Sequence, residues 1–348
     1  MEIDSAGAGQ ARDYFFYNIM YLKGTRTSPP AAQAPRGFNM AELHYLQVTR
    51  ECNQKCRFCS NPASDSTISL RAAKRLIDGY ARIKAAGVIF TGGEPTLHPE
   101  LDKLIAYARL RKLPARITTN GQKAAASGYL AGLKAAGLEH IHFSAYSHSA
   151  AVHDYLTRKK GSHEKLLRAI GNAGALGLRT DINMVINRLN SRHLHLAVEN
   201  LSKQFPFVAH FVFNNMDPGM DRVVEDPSTI PVLSDFEASL AKAMRYLDST
   251  GRTFRVERVP LCFMAEFPHC STETRKIVTG EGRNTYFLDE KRMVKQKVWE
   301  HGKSDRCAVC GLSGICAGLY KMDVYYSSAE LCPVFPDPEP IKRRILQG

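Results

Sequence analysis

Apolar residues along the chain follow two spacings, and from residue 43 onward these spacings alternate in a regular order. Short apolar runs such as 43–48 predict buried strands. The apolar residues of the next segment recur at helical spacing, which predicts a helix with one buried face: Leu70, Ala73, Leu76, Ile77, Tyr80 and Ile83. The unit repeats six times, with predicted strands at 43–49, 87–91, 114–119, 140–144, 179–186 and 208–213, and predicted helices at 68–86, 99–112, 123–136, 163–177, 191–204 and 234–250.

Repeated strand–helix units predict an α/β fold built on a parallel sheet with right-handed crossovers. A further strand is expected over residues 253–259. Residues 1–42, rich in Gly, Ala, Pro and Thr, are expected to form a partly ordered leader with one aromatic patch.

Composition indicates a globular cytoplasmic protein. The chain has 348 residues and 44% hydrophobic content, enough for a sizeable core. No window approaches a membrane-spanning length, and residues 1–36 lack the apolar region of a signal peptide. Nine cysteines, an odd number in a reducing compartment, favour metal ligands over a disulfide framework.

The formal net charge of +13 favours an acidic partner. Basic residues are scattered, as at 71–84 and 158–160, so solvated helix faces and loops explain most of them. No basic motif interleaved with aromatic residues accompanies the charge, which makes RNA a less favoured partner.

Three cysteines directly after the first predicted strand form the strongest chemical signal. Cys52, Cys56 and Cys59 are separated by three and two residues. This spacing lets three thiolates meet at one iron–sulfur cluster and leaves its fourth iron without a protein ligand. The alternative is a zinc site, although zinc ligands usually come as two distant Cys-x2-Cys pairs.

A glycine–glycine–glutamate run, Gly92-Gly93-Glu94, follows at the end of the second strand. The glycines allow close backbone approach, and the acidic side chain could pair with an ammonium group. Together with the cysteine spacing, this run resembles the radical S-adenosylmethionine (SAM) superfamily. The resemblance implies a partial (βα)6 barrel over residues 43–250, with a [4Fe–4S] cluster that binds and reductively cleaves SAM.

The same resemblance implies further cofactor contacts at strand ends. Phe58 lies inside the cysteine motif, Asn120 follows the third strand, and Ser144 ends the fourth. With Gly92, Gly93 and Glu94 they form the expected SAM-binding set. The loop at 144–162 resembles a structural loop of the family, in which Tyr146 and His148 are candidate substrate contacts.

A second cysteine set lies in residues 251–348. Cys307, Cys310 and Cys316 have a Cys-x2-Cys-x5-Cys spacing that resembles SPASM and twitch extensions, which carry auxiliary iron–sulfur clusters; zinc is the alternative. Tyr320 stands where the full SPASM pattern has another cysteine, which argues against two auxiliary clusters. The fourth ligand is Cys262 or Cys332, and Cys262 is preferred because it follows a predicted strand. Cys270 is expected to be a buried thiol.

The resemblance implies a radical SAM oxidoreductase that abstracts hydrogen from its substrate. The leading expectation is a peptide substrate, as in maturation of ribosomally made peptides. The alternative is a sugar, aminocyclitol or nucleoside that is dehydrogenated or epimerised. RNA modification is the third functional alternative, and a non-enzymatic metal-binding protein is the last. An electron donor such as flavodoxin or ferredoxin is the implied protein partner.

Overall fold

A computed structural model describes residues 43–60, 64–289, 291–296 and 301–348 of the chain. The predicted leader at 1–42, with its aromatic patch, lies outside the described residues. The described residues belong to one compact unit, which spans 39–348. In the part of the chain that the structure covers, no helix is long and apolar enough to cross a membrane.

Nine strands form one sheet that carries the fold. The strands are β1 (Leu43–Thr49), β2 (Gly87–Gly92), β3 (Ala115–Thr119), β4 (His140–Ser144), β5 (Arg179–Ile186), β6 (His210–Asn215), β7 (Thr253–Glu257), β8 (Arg283–Tyr286) and β9 (Met293–Gln296). Their spatial order is β7-β6-β5-β4-β3-β2-β1-β8-β9. All neighbours from β7 to β8 are parallel, whereas β8 and β9 form an antiparallel pair.

Helices lie between the parallel strands along the chain, and a final helix follows the last strand. They are α1 (Leu70–Arg82), α2 (Leu101–Leu110), α3 (Ser127–Ala136), α4 (Ala150–Thr157), α5 (Ser162–Ala175), α6 (Leu194–Gln204), α7 (Asp221–Glu225), α8 (Leu233–Ser249), α9 (Thr272–Thr279) and α10 (Pro338–Leu346). Ser69 caps α1 by accepting a hydrogen bond from the backbone of Ala72, and the helix buries Ala73, Ile77 and Tyr80. A short antiparallel pair, β10 (His301–Gly302) and β11 (Leu319–Tyr320), lies in the C-terminal segment.

The six predicted strand–helix units are all present, and the expected strand after α8 is β7. Several elements have no counterpart in the sequence prediction, namely α4, α7, α9, α10 and β8 to β11. Helix α4 interrupts the long predicted loop after β4, where Ser149 supplies the N-cap. The hairpin of β8 and β9 was not predicted, because its sequence is polar and lacks a strand-like alternation.

The main core lies between the outer face of the sheet and the helices. Phe90, Phe143, Phe211 and Phe213 point to this side and are almost fully buried. The opposite, inward face carries polar side chains at alternate positions, including His140 and His142 on β4. The strands therefore place apolar side chains on the outer face and polar side chains on the inner face, so the curled sheet encloses a polar interior. The edge strands β7 and β9 do not pair with each other, so the sheet does not close into a barrel.

Residues 251–348 are joined to the sheet and do not form a separate layer. Strand β8 pairs with β1, so that His44, Tyr45 and Leu46 lie opposite Asn284, Thr285 and Tyr286. Arg50, just after β1, forms an ion pair of 2.7 Å with Asp289. The strand that leads into the first cysteine motif is thus fixed on one side by the C-terminal segment.

Candidate functional site: two cysteine clusters and the strand ends

The first cysteine loop leaves the C-terminal end of β1 and is held at several points. The backbone N–H groups of Lys55 and Arg57 donate to the carbonyls of Thr157 and Leu156, at 3.1 and 2.9 Å. Arg222 of α7 donates to the Cys56 carbonyl at 3.2 Å. These contacts fix the backbone between the first and third thiols without using the thiols themselves.

The glycine pair fixes the same loop against the end of β2. A Cβ on Gly92 would lie 2.0 Å from the Thr49 carbonyl oxygen, and one on Gly93 would lie 2.2 Å from that of Glu51. The Gly93 N–H donates to Thr49 at 2.7 Å, and the Glu94 N–H donates to Glu51 at 2.8 Å. Glycine is therefore required at both positions, because the backbone at the start of the cysteine loop lies in direct contact with the backbone of the glycine pair.

The Glu94 carboxylate is enclosed in a hydrogen-bond network. It is 1% exposed, and it accepts from the backbone and hydroxyl of Thr96 at 3.1 and 2.6 Å, from the hydroxyl of Thr119 at 2.6 Å, and from the backbone of Asn120 at 2.7 Å. Burial raises the pKa of Glu94, against the effect of these donors. The pairing of this side chain with an ammonium group stays a prediction. Glu94 connects the ends of β2 and β3.

Asn120 links this network to the cysteine loop. Its side-chain amide donates to Asn53 at 2.8 Å and lies 3.8 Å from the Cys52 sulfur. Beside it, Phe58 packs edge-on against Tyr146, with ring centroids 4.8 Å apart. Ser144, at the end of β4, hydrogen-bonds to the Tyr146 side chain. The residues predicted from the motif thus gather at the C-terminal edge of β1 to β4.

The three thiols of the loop lie close enough to influence one another. Burial, with a contribution from the neighbouring Cys59, raises the pKa of Cys52 to about 11, and burial raises that of Cys56 further. Buried neutral thiols of this kind become thiolates when they bind a metal, because a coordinating thiol is deprotonated. The Gln54 N–H donates to the Cys52 sulfur at 3.5 Å, the type of contact that stabilises a cluster ligand.

The loop after β4 divides into structural and exposed parts. Asp154 accepts hydrogen bonds from the backbones of Gly161 and His163 at 2.5 and 2.9 Å, which closes the turn between α4 and α5. His153 stacks on Tyr146 at a centroid distance of 5.4 Å. His148 lies near His193, with 6.2 Å between the ring centroids.

The second cysteine set converges on one apolar pocket in the C-terminal segment. Five cysteines line it: Cys262, Cys307, Cys310, Cys316 and Cys332. The Gly318 N–H donates to the Cys316 sulfur at 3.3 Å, and the Val334 N–H donates to the Cys310 sulfur at 3.5 Å. Sulfur ligands with backbone donors in an apolar surrounding fit an iron–sulfur cluster.

Both candidates for the fourth ligand border this pocket. The backbone N–H of Cys332 hydrogen-bonds to the Cys262 sulfur, and burial raises the pKa of that thiol to about 12. Cys332 itself is exposed. Cys270 does not line the pocket and is buried in the core, as expected. Tyr320 donates to the carboxylate of Asp217 at 2.9 Å, so the position lacking a cysteine has a structural role.

The polar interior of the sheet was not predicted from the sequence. A cavity of about 590 Å³ is lined there by residues including Arg116, His142, Asp181 and Arg255. His140 Nε2 and His142 Nδ1 lie 2.7 and 3.5 Å from Asp181 Oδ2. The sequence feature that could have indicated this cavity is the presence of polar residues at alternate positions of β4 and β5. A strand buried on both faces would have apolar residues at those positions.

Comparison with known proteins identifies the class of domain that this site belongs to. Residues 46–201 match the family model described as the Radical SAM superfamily. This part of the chain is therefore similar to a radical SAM domain, and this family uses a [4Fe–4S] cluster with SAM. The matched region includes the first cysteine loop, the glycine pair and Asn120.

Two relatives and one solved structure refine the comparison. Fe-coproporphyrin III synthase of Methanosarcina barkeri is 30% identical over 186 residues, 52% of this chain and 46% of that protein. PqqA peptide cyclase of Xanthomonas campestris pv. campestris is 31% identical over 153 residues, 43% and 40% of the two chains. The matched regions thus cover about half or less of these relatives' lengths. Streptococcus suis SuiB bound to the precursor peptide SuiA has a TM-score of 0.60 at 15% identity, covering 80% of this chain and 72% of that one, which shows a shared fold.

Proposed function

We propose that this protein is a radical SAM enzyme in which Cys52, Cys56 and Cys59 hold the catalytic [4Fe–4S] cluster. The observation that carries the proposal is the placement of these thiols at the C-terminal edge of the sheet, on a loop fixed by the Gly92-Gly93 backbone. When bound there, the cluster with SAM supplies a 5′-deoxyadenosyl radical that removes a hydrogen atom from the substrate.

The protein residues position this cofactor and shield it. Asn120, Ser144 and the backbone at 92–94 would face SAM, because they border the cysteine loop at the strand ends. Phe58 and Tyr146, which are 6% and 8% exposed, form an aromatic contact beside the loop and limit the access of water. Glu94 acts through Thr119 and Asn120 by holding their backbone and hydroxyl groups in place.

The second cysteine pocket is proposed to hold one auxiliary [4Fe–4S] cluster. Cys262, Cys307, Cys310 and Cys316 would provide a closed four-thiolate set. Such a site can accept an electron from a substrate radical, but it has no open iron for substrate. On this proposal residues 43–250 form the radical SAM barrel and residues 251–348 the auxiliary segment, with flavodoxin or ferredoxin as the class of electron donor.

A peptide is the proposed substrate class. One relative is named a peptide cyclase, and a solved structure of the same fold is bound to a precursor peptide. Because a second relative is named a porphyrin synthase, a small-molecule substrate is the competing candidate.

The activity is tested with anaerobically reconstituted protein and a strong reductant, with 5′-deoxyadenosine as the product measured. We expect the unmodified protein to convert SAM, and the triple variant Cys52→Ala, Cys56→Ala, Cys59→Ala to lose this conversion. Cys270→Ala is the matched control, because that thiol lies in the core away from both cysteine sets. Product formation by the triple variant at the parental rate would contradict the assignment.

A further inference from the structure

The polar cavity inside the sheet is lined by two arginines that form no ion pair with a described residue. Arg116 on β3 and Arg255 on β7 both line the cavity, on strands at different positions around the curled sheet. A guanidinium offers five donors and stays charged, so burying one without a partner is costly. The arrangement therefore needs an explanation beyond packing.

The Arg116 guanidinium makes no hydrogen bond and no ion pair with any described residue. Burial lowers its pKa, the positive charge of Arg179 adds to the effect, and the Asp181 carboxylate partly opposes it. Among the described residues, the Arg255 guanidinium makes one hydrogen bond, 3.2 Å to the carbonyl of its own neighbour Phe254. Burial, followed by repulsion from Arg275, lowers the pKa of Arg255 to about 10.

A third arginine of the same cavity shows the opposite situation. Arg283 forms an ion pair of 2.5 Å with Glu257, and its pKa is raised by that carboxylate. The fold thus pairs Arg283 with a buried carboxylate, whereas Arg116 and Arg255 have no such ion pair with a described residue. Two half-buried guanidinium groups facing one cavity are suited to an anionic ligand.

Neighbouring histidines add neutral hydrogen-bonding groups. Burial lowers the pKa of His142 to about 3 and that of His210 to about 4. His142 Nε2 is buried and has no hydrogen-bond partner among the described residues. Neutral imidazoles can donate to oxyanions, so the cavity combines positive charge with further polar contacts.

A divalent cation is the competing occupant. His140, His142 and Asp181 have ligand atoms within 4.8 Å of one another, a grouping that could hold a metal ion. However, Asp181 is the only carboxylate of this group, and Arg116 acts on both histidines, and Arg179 on His140, to disfavour positive charge. The same field disfavours a dication.

We propose that this cavity binds a ligand bearing carboxylate or phosphate groups, with Arg116 and Arg255 as its charged contacts. Only one part of this inference rests on the proposed function, namely that the ligand is the enzyme's substrate or a part of it. The cavity volume of about 590 Å³ accommodates a small molecule or an acidic peptide side chain with its neighbours.

Direct calorimetric binding to the full reconstituted chain, at fixed ionic strength, tests the proposal without requiring SAM cleavage. The probes are glutarate and adipate for carboxylates, pyrophosphate for phosphates, and glutaramide as the uncharged match of glutarate. We expect at least one anionic probe to bind with a Kd of about 1 mM or tighter, and glutaramide not to bind. The probe that binds distinguishes the carboxylate source from the phosphate source.

Arg116→Gln and Arg255→Gln should each raise the Kd of that probe at least about tenfold, and Arg116→Lys should raise it by a smaller factor. Arg168→Gln is the control, because Arg168 pairs with Glu164 on the exposed face of α5 and should leave binding unchanged. Circular dichroism selects the variants that fold, and Arg116→Lys serves if Arg116→Gln does not.

The cavity proposal is overturned if no anionic probe binds, if binding is equal in all folded variants, or if Zn²⁺ binds instead and is lost in His142→Asn. Loss of probe binding in the arginine variants of a protein that never cleaves SAM would support the cavity while refuting the proposed activity. The two proposals therefore fail separately.

Discussion

At the scale of single residues, the glycine pair shows how the cysteine loop is positioned. Gly93 is packed against the backbone carbonyls of Arg50 and Glu51, at 2.5 and 2.2 Å from an added Cβ. These are main-chain atoms, so they cannot move aside as the end of a flexible side chain could. The register between the end of β1 and the end of β2 therefore depends on the lack of a side chain at this position.

Gly93→Ala should displace the loop that carries Cys52 and destabilise the protein by about 1–3 kcal/mol, the usual cost of overpacking. Thermal unfolding measures the stability, and iron content after reconstitution measures the site. Gly132→Ala is the control, since an added Cβ in the middle of α3 meets no atom within 4 Å and alanine favours a helix. Equal behaviour of the two variants would contradict the packing argument.

At the scale of elements, the sequence predicted what local periodicity determines. The strands and helices of the six units follow from apolar spacing, and the cysteine and glycine motifs fall at strand ends as expected. The role of Glu94 could not be predicted, because its donors Thr119 and Asn120 belong to a neighbouring strand. The cavity around Asp181 was missed for a similar reason, since its partners come from adjacent strands in a register that local sequence does not encode.

The C-terminal cysteine pocket yields a prediction at this scale. A protein lacking the first three thiols should still bind about four irons, because the second set of ligands is independent of the first. In that background Cys262→Ala should lose this iron, since its sulfur already receives a backbone hydrogen bond in the pocket. Cys332→Ala should retain it, because that residue is exposed.

Iron and zinc analysis of these variants measures the outcome. One equivalent of zinc would argue against an auxiliary cluster. If only the Cys332 variant loses iron, Cys332 is the fourth ligand in place of Cys262, since both thiols border the same pocket.

At the scale of the whole molecule, the proposed barrel and auxiliary segment share one sheet. Strand β1 lies between β2 and β8, so the strand that leads into the first cysteine loop has partners from both parts of the chain. The Arg50–Asp289 ion pair reinforces this connection. The boundary at residue 250 thus separates two parts with different proposed functions, although both parts contribute strands to the same sheet.

A chain ending at residue 250 should therefore be unstable, because β1 would lose β8 and become an open edge. We expect aggregation, or a folded fraction that binds iron poorly at the first site. Solubility and iron content measure this, and a chain ending at residue 337 is the control, because it removes only α10. A soluble 250-residue form with full iron content would show that the barrel folds alone.

The pairing of β1 with β8 also has a consequence for biosynthesis. Strand β8 begins 240 residues after β1, so translation at common rates leaves β1 without this neighbour for on the order of 10 to 50 s. During that interval the nascent chain exposes a hydrogen-bonding strand edge beside three uncoordinated thiols. We therefore expect slower elongation or chaperone depletion to reduce the yield of this protein through the late completion of its sheet.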